Sequence, residues 1–262
     1  MQPTILFRRT IYIAVSIILI ALAVSFGYKK LHKEPIVYPK AEVRIIEGWT
    51  IAQIDEELYE KKVITEKGSI SGFDPEKIAD EYPILEGKKS LEGFMFPDTY
   101  EFFEGTMPEV VVEKIMDNFN ARVGKEMAAR SDAYDVLKIA SLIEKEIPDA
   151  GRDRFLVSGI IYKRLKEGMR LQLDATLCYA KTGRECGKIL KEDKEIDSPY
   201  NTYRNYGLPP TPISNPGVSA IKAAMAPESS KYWYYISDPD TKRAVFAATL
   251  DEHNKNIVKY LR

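Results

Sequence analysis

The sequence predicts an α+β protein with an N-terminal transmembrane helix, and three observations support this fold class. Residues 11–26, IYIAVSIILIALAVSF, form an apolar run without a charged residue. The rest of the chain contains several segments with helical periodicity, and residues 231–249 have the pattern of a β-hairpin. No alternation of strands and helices predicts a parallel sheet. Helices and antiparallel strands are therefore expected in separate parts of the fold.

The apolar run predicts a membrane anchor over residues 1–28, followed by a linker over 29–41. A helix rises about 1.5 Å per residue, so roughly 17–18 apolar residues just cross the hydrocarbon core. A cleaved signal peptide is the alternative, because Ala21-Leu22-Ala23 resembles its cleavage site. The run is long for such a peptide and continues past Ala23, which favours the uncleaved anchor. Basic residues flank both ends, so charge does not decide the orientation.

The composition excludes several classes of function. The chain has 38 Lys and Arg against 39 Asp and Glu, so it has no general electrostatic attraction to nucleic acid. It has 2 His and 2 Cys, and Cys178 and Cys186 lack the CxxC spacing of a zinc site. Nucleotide-binding glycine motifs and a G-x-S-x-G nucleophile motif are absent from the sequence. Carboxylates are left as the simplest acid–base groups, and we expect no cofactor, no metal and no nucleic-acid partner.

A small βα-type unit is predicted over residues 42–89. Residues 42–46 alternate like a strand, and Thr50 can cap a helix with apolar residues at 51, 54 and 58. A second helix is expected over 74–82, where Pro75 follows Asp74.

The remaining residues, 90–262, are predicted to form one larger domain. Residues 169–180 alternate and then become helical after Asp174, and residues 198–217 form a loop rich in Pro, Tyr and Asn. The expected helices cover 108–129, 132–147, 152–167, 216–226 and 251–261.

One carboxylate of the helix at 132–147 is a candidate general acid. Glu144 lies at about 60–80° from the centre of the apolar stripe, where partial desolvation raises a carboxyl pKa and keeps the group protonated. Periodicity by itself favours the alternative, in which Glu144 and Glu146 are solvated residues flanking a core helix.

Two further segments are candidates for binding sugars. The loop at 198–217 carries aromatic faces and amide donors suited to sugar rings, or else it is a proline-stiffened structural loop. Gln172, Asp174 and Thr176 share one face if their segment is extended. Asp174 is equally well placed to cap a helix over 175–181.

Taken together and in this order, these segments resemble the YceG-like (MltG) family of endolytic murein transglycosylases. The resemblance covers about residues 42–262. It rests on the co-linear segments Glu92-Gly93-Phe94, Phe96-Pro97-Asp98-Thr99-Tyr100, Ala140-Ser141-Leu142-Ile143-Glu144-Lys145-Glu146, Arg164-Leu165, Gly168-Met169-Arg170-Leu171-Gln172 with Asp174 and Thr176, Tyr200-Asn201-Thr202-Tyr203, Gly207-Leu208-Pro209-Pro210, Ile213-Ser214-Asn215-Pro216-Gly217 and His253-Asn254.

The resemblance implies a reaction and a location. The family cleaves the MurNAc–GlcNAc β-1,4 bond of nascent peptidoglycan strands and leaves 1,6-anhydroMurNAc ends, which terminates strand growth. It implies a single-pass protein of the bacterial cytoplasmic membrane whose mixed α/β catalytic domain lies outside the cytoplasm. Peptidoglycan strands are the implied substrate, and peptidoglycan synthases are possible partners at the level of the family.

The resemblance also implies roles for individual residues. The first Glu of the E-K-E motif, Glu144, is expected to be the catalytic acid. One carboxyl suffices because the 6-hydroxyl of the same sugar, not water, captures the oxocarbenium-like centre. The residues expected to hold the sugar are Gln172, Asp174, Thr176, Tyr200, Asn201, Thr202 and Tyr203.

Two features depart from the family pattern. Only about 15 residues separate the anchor from the small unit, so the glycan-binding LysM-like module is shortened. Cys178 and Cys186, eight residues apart, are either disulfide-bonded or free thiols.

The sequence is also compatible with two other functions. A glycoside hydrolase that uses water would leave reducing ends, and a membrane-anchored scaffold would bind peptidoglycan without cleaving it.

Overall fold

A computed structural model describes residues 15, 17–25, 39–147, 151–184, 186–187, 189–241 and 243–261. The chain divides into two units, 1–39 and 40–262. In the first unit, residues 17–25 are helical, and most of the predicted anchor and linker lies outside the described residues. Within the part of the chain that is described, no helix combines the length and apolar character needed to cross a membrane.

The second unit contains helices and two small antiparallel sheets, as the α+β prediction requires. The strands are β1 (Lys40–Arg44), β2 (Thr99–Phe103), β3 (Tyr234–Ser237) and β4 (Ala244–Ala247). The α-helices are α1 (Ile51–Glu60), α2 (Pro108–Phe119), α3 (Lys125–Ala128), α4 (Ala133–Glu146), α5 (Arg152–Lys166), α6 (Asp174–Thr182), α7 (Val218–Met225) and α8 (Leu250–Tyr260). β3 and β4 form the predicted hairpin, with Tyr234 opposite Ala247.

The first sheet joins the two predicted parts of the ectodomain. β1 pairs with β2 so that Val43 lies opposite Tyr100, and both side chains are buried. A single apolar core extends from Val43 in the small unit to Ala224 in α7. The boundary predicted near residue 90 is therefore crossed by both the sheet and the core, and the division into 42–89 and 90–262 stays a prediction.

Helix α4 lies at the centre of this core. Its predicted apolar stripe is buried, with Val136, Ala140 and Ile143 fully inaccessible to solvent. The helix packs against α5, α6 and α7. Because different neighbours pack on different sides of the helix, the polar residues of its last turn, Glu144 and Glu146, have different surroundings.

Two predicted helices differ from the structure. The helix expected over 74–82 is a 3-10 helix at Pro75–Ile78, capped by the Asp74 carboxylate, which accepts the Glu76 N–H at 3.1 Å. A following Pro83 disfavours helical backbone at the residue before it, which limits this helix. The helix expected over 108–129 is interrupted by a π-helical turn at Asn120–Gly124 between α2 and α3. At Gly124 any Cβ would collide with the Asn120 side chain.

Candidate active site

Glu144 is buried in a tight ion pair with Arg154. Its Oε1 lies 2.6 Å from Arg154 Nη2, and its Oε2 lies 3.3 Å from Nη1. The Gly217 N–H, at the start of α7, also donates to Oε2 at 3.0 Å. The residue is only 7% exposed and Arg154 is completely buried. Both carboxylate oxygens are thus held by protein donors, which is the arrangement of a structural carboxylate.

Glu47 lies beside this ion pair. Partial desolvation raises the pKa of Glu47, and the negative charge of Glu144 raises it further, while Arg154 lowers it. A Cβ at position 217 would collide with the Glu47 carboxylate, so Gly217 lets the Glu47 side chain approach the backbone closely. The Glu47–Glu144–Arg154 cluster therefore joins the loop before α1 to α4, α5 and α7.

Glu146, two residues further along α4, lies instead in an open cleft of about 490 Å³. The Tyr235 hydroxyl donates to its Oε2 at 3.3 Å. Burial, and after it the nearby charge of Asp174, raise the pKa of Glu146 to about 7. A carboxyl with this pKa is partly protonated at neutral pH, so it can donate a proton to a ligand in the cleft.

Asp174 and Tyr203 line the same cleft as Glu146. The Tyr203 hydroxyl donates to Asp174 Oδ1 at 2.6 Å, and both burial and this hydrogen bond raise the pKa of Tyr203. Asp174 is the first residue of α6, and Leu173 occupies the N-cap position. The prediction that Asp174 caps the helix is therefore wrong, and its carboxylate is directed to the cleft that it lines with Glu146.

The structure corrects the prediction that Gln172, Asp174 and Thr176 share an extended face. Gln172 has a φ of 55°, in the left-handed region, and the helix then begins at Asp174. Gln172 and Asp174 both line the cleft. Thr176 is fully buried, and its hydroxyl donates to the Leu173 carbonyl at 2.7 Å and lies 2.9 Å from Thr202 Oγ1.

Of the four candidates at 200–203, only Tyr203 lines the cleft. Asn201 is buried, and its amide donates to the carbonyls of Lys194 and Ile196 at 3.0 and 2.8 Å. Thr202 accepts the Leu173 N–H at 3.0 Å. The Tyr200 hydroxyl lies 2.9 Å from Thr211 Oγ1. Tyr200, Asn201 and Thr202 thus hold the loop against its neighbours, as the interpretation of a structural loop requires. Tyr203 lines the cleft, as the interpretation of a sugar-binding loop requires.

Several cleft residues were absent from the predicted site. Arg164 lies in the wall, where its guanidinium donates to the carbonyls of Trp233 and Leu171 at 2.9 and 2.7 Å. Tyr235 packs against the apolar core, and strand alternation places it and Ser237 on the face that meets α4. Lys194 and His253 complete the polar lining. Burial lowers the pKa of His253, and the charge of Arg164 lowers it further.

Cys178 and Cys186 form a disulfide with an S–S distance of 2.06 Å, so the disulfide alternative is confirmed. Its Cα atoms are 5.1 Å apart, and it ties the segment after α6 back to that helix.

Comparison with known proteins assigns the chain to a family. A model of the YceG-like family matches residues 25–259. The chain belongs to the YceG-like family. A YceG-like protein from Listeria monocytogenes has a similar crystal structure, with a TM-score of 0.73 and 34% identity, over 84% of this chain and 76% of that one.

Relatives of the family with assigned names share most of this chain. An endolytic murein transglycosylase from Bacillus subtilis is 35% identical over 237 residues, which cover 84% of this chain and 65% of the relative. One from Streptococcus pneumoniae is 28% identical over 87% of this chain and 46% of the relative. The chain therefore spans less than two thirds of the length of these relatives.

Proposed function

We propose that this protein is an endolytic lytic transglycosylase that cleaves the MurNAc–GlcNAc β-1,4 bond of peptidoglycan strands and leaves 1,6-anhydroMurNAc ends. The names of the relatives from Bacillus subtilis and Streptococcus pneumoniae support the reaction class. The observation that carries the proposal is a carboxyl with a pKa of about 7, Glu146, in a polar cleft large enough for sugar rings.

The geometry supports Glu146 over Glu144 as the acid. Both oxygens of Glu144 are occupied by Arg154 and the Gly217 N–H, so a proton on Glu144 would disrupt a buried ion pair. Glu146 lines the cleft and is partly exposed, and its carboxyl accepts hydrogen bonds from the Tyr235 hydroxyl at 3.3 Å and from the Ala175 backbone N–H. Neither donor is a charged group, so its proton is not opposed by a buried ion pair. We assign Glu144 to holding the last turn of α4 in place, which allows that turn to present Glu146 to the cleft.

The reaction then needs one carboxyl. Protonated Glu146 donates its proton to the glycosidic oxygen, and the bond from that oxygen to C1 of MurNAc breaks. The 6-hydroxyl of the same MurNAc forms the new bond to C1, and its proton passes to the Glu146 carboxylate. The acid is regenerated and no water is consumed, so a second catalytic carboxylate is unnecessary.

Asp174 and Tyr203 assist at the cleft wall. The Asp174 carboxylate, hydrogen-bonded by Tyr203, places negative charge beside the oxocarbenium-like centre that develops at C1. The same charge raises the pKa of Glu146. Gln172 offers an amide to sugar hydroxyl or acetamido groups from the same wall.

The envelope is the expected location, because the substrate lies there. We propose a single membrane anchor at residues 1–28 with the catalytic unit on the outer side, where nascent strands and their synthases are found. The disulfide supports this location, since disulfides persist outside the reducing cytoplasm.

The test compares Glu146→Gln with Glu144→Gln in the purified full-length chain. Uncross-linked glycan strands are digested, and the product ends are identified by mass spectrometry. We expect anhydro ends from the wild type and a loss of at least about 100-fold in rate for Glu146→Gln, as for removal of a general acid. Glu144→Gln should retain more activity in the fraction that remains folded.

Other outcomes separate the alternatives. Reducing ends from the wild type would indicate a hydrolase that uses water. Unchanged activity of Glu146→Gln with inactive but folded Glu144→Gln would return the catalytic role to Glu144. Binding of strands without any cleavage would indicate a scaffold.

A further inference from the structure

A second cleft, of about 610 Å³, adjoins the first at the candidate acid. Both clefts are lined by Glu146, Asp174 and Ser237, so these residues lie where the two clefts meet. The second cleft continues along α6 over Ala175 and Tyr179. A polymer bound across Glu146 would therefore occupy both clefts, one on each side of the bond that is cleaved.

The far wall of the second cleft is built by the disulfide. Helix α6 ends at Thr182, and Gly183 reverses the chain with a φ of 67°. The Cys178–Cys186 bond then returns the chain to the helix. The Thr182 hydroxyl donates to the Arg184 carbonyl at 3.0 Å and accepts the Arg184 N–H at 3.2 Å, which fixes the turn. Arg184, Cys186 and Gly187 line the cleft as a result.

Both clefts carry charged side chains. The carboxylates Glu146 and Asp174 lie at the junction. The first cleft adds the cations Arg164 and Lys194, and the second adds Lys145 and Arg184. Arg184 is held at the rim by Glu56, at 3.2 Å between Nη2 and Oε2, and its side chain remains 46% exposed. Lys145 Nζ donates to the Gly48 carbonyl at 3.2 Å.

We propose that the second cleft binds the glycan strand beyond the scissile bond and that Arg184, with Lys145, recognises the acidic peptide stems carried by MurNAc. This inference rests on the proposed function, because it places the substrate on both sides of Glu146. Every second sugar of the strand carries a stem with free carboxylates, which a partly exposed guanidinium at a cleft rim can bind. Sugars without stems offer no carboxylate for Arg184 and Lys145 to bind.

The test measures binding separately from cleavage. The full-length chain with Glu146→Gln is titrated against labelled uncross-linked strands that retain their stems, and against strands whose stems have been removed by an amidase. Adding Arg184→Gln should weaken binding of the first strands by about 2- to 5-fold, the scale of a partly exposed ion pair, and the loss should shrink at high salt. Binding of the stem-free strands should not change.

Two matched variants control for structural effects. Arg122→Gln removes another arginine that is paired with a carboxylate, Asp98, and lies outside both clefts, so it should not change binding. Glu56→Gln removes the partner of Arg184 but keeps the cation, so it should bind stem-bearing strands at least as tightly. If Glu56→Gln weakened binding as much as Arg184→Gln, the ion pair and not recognition would explain the result, and the inference would be overturned.

The remaining outcomes distinguish this inference from the proposed function. Equal binding by the Arg184→Gln and Arg122→Gln proteins, while the wild type makes anhydro ends, overturns the inference and leaves the function intact. If Arg184→Gln weakens binding of stem-bearing and stem-free strands equally, the inference is also overturned. If Arg184→Gln weakens binding only of stem-bearing strands but the wild-type protein does not cleave them, the second cleft is supported as a binding site. Only the proposed enzymatic activity is then refuted.

Discussion

Glu144 and Glu146 are two residues apart on α4, and they have opposite surroundings. At about 100° per residue their side chains leave the helix about 200° apart. Glu144 therefore meets Arg154 and the start of α7, while Glu146 meets Tyr235 and the cleft. Periodicity placed Glu144 nearer the apolar stripe than Glu146. It could not show which of the two reaches a cleft, because the neighbours that separate them come from distant parts of the chain.

The pKa of Glu146 leads to a prediction about pH. Because the reaction needs the protonated carboxyl, the rate should fall as pH rises through about 7. Asp174→Asn removes a negative charge that raises this pKa, so the alkaline limb of kcat should move to lower pH. The pH profile of kcat for the two proteins checks this. If the alkaline limb lay at the same pH in the wild type and in Asp174→Asn, Asp174 would not affect the pKa of Glu146.

Arg154 supports a prediction about stability. Arg154→Met leaves Glu144 as a buried charge without its partner, which should lower the free energy of unfolding by about 3–5 kcal/mol. Adding Glu144→Gln to this variant should restore part of the loss, because the unpaired charge is removed. Urea denaturation of the single and double variants measures both values. If the double variant lost as much free energy of unfolding as the two single variants added together, the two residues would act independently and the ion pair would contribute little.

At the scale of elements, the segments that the sequence predicted correctly are those with strong local signals. The apolar stripe of α4, the alternation of β3 and β4, and Thr50 at the N-cap position of α1 all depend on neighbouring residues. The Thr50 hydroxyl itself makes no hydrogen bond within the described residues, and the Thr50 N–H donates to Gln53 Oε1 at 3.0 Å. The segment before α6 was predicted less well. The left-handed backbone of Gln172 is stabilised by its N–H bond to the Thr202 carbonyl at 3.1 Å, a contact thirty residues away in sequence.

The disulfide-closed segment after α6 gives a prediction at this scale. Replacing both Cys178 and Cys186 by Ser should lower the free energy of unfolding by about 2–3 kcal/mol, since the bond closes a short loop in the unfolded chain. Denaturation with and without a reductant checks this. Under reducing conditions the wild type and the double variant should have the same stability. A difference that persists there would mean that the serines themselves disturb the fold.

At the scale of the whole molecule, the pairing of β1 with β2 makes residues 40–89 part of the same folded body as the cleft. Glu92 illustrates this dependence. Its buried carboxyl accepts the Ile51 N–H at the start of α1 and the Asn215 amide, both at 3.0 Å, and the Tyr179 hydroxyl at 3.1 Å. One side chain thus connects the small unit, the loop before α7, and α6.

This connection predicts the behaviour of a truncated chain. Residues 90–262 alone lack β1, the partner of β2, and leave Glu92 without the N–H donor of α1. We expect this fragment not to fold cooperatively, whereas residues 40–262 should. Thermal unfolding followed by circular dichroism compares the two. A cooperative transition in the shorter fragment would instead support the predicted boundary near residue 90.

The sequence by itself determined the class of the fold, most of its helices, the hairpin and the family resemblance, because these depend on local periodicity and on short motifs. It also restricted the chemistry to carboxylates, since the chain has few His and Cys residues. Only the tertiary structure decided which candidates reach the cleft. Thr176, Asn201 and Thr202 are buried hydrogen-bonding groups, whereas Arg164 and Tyr235 line the cleft. The reason is physical: whether a polar side chain serves the fold or a ligand depends on the donors and acceptors that distant segments bring to it.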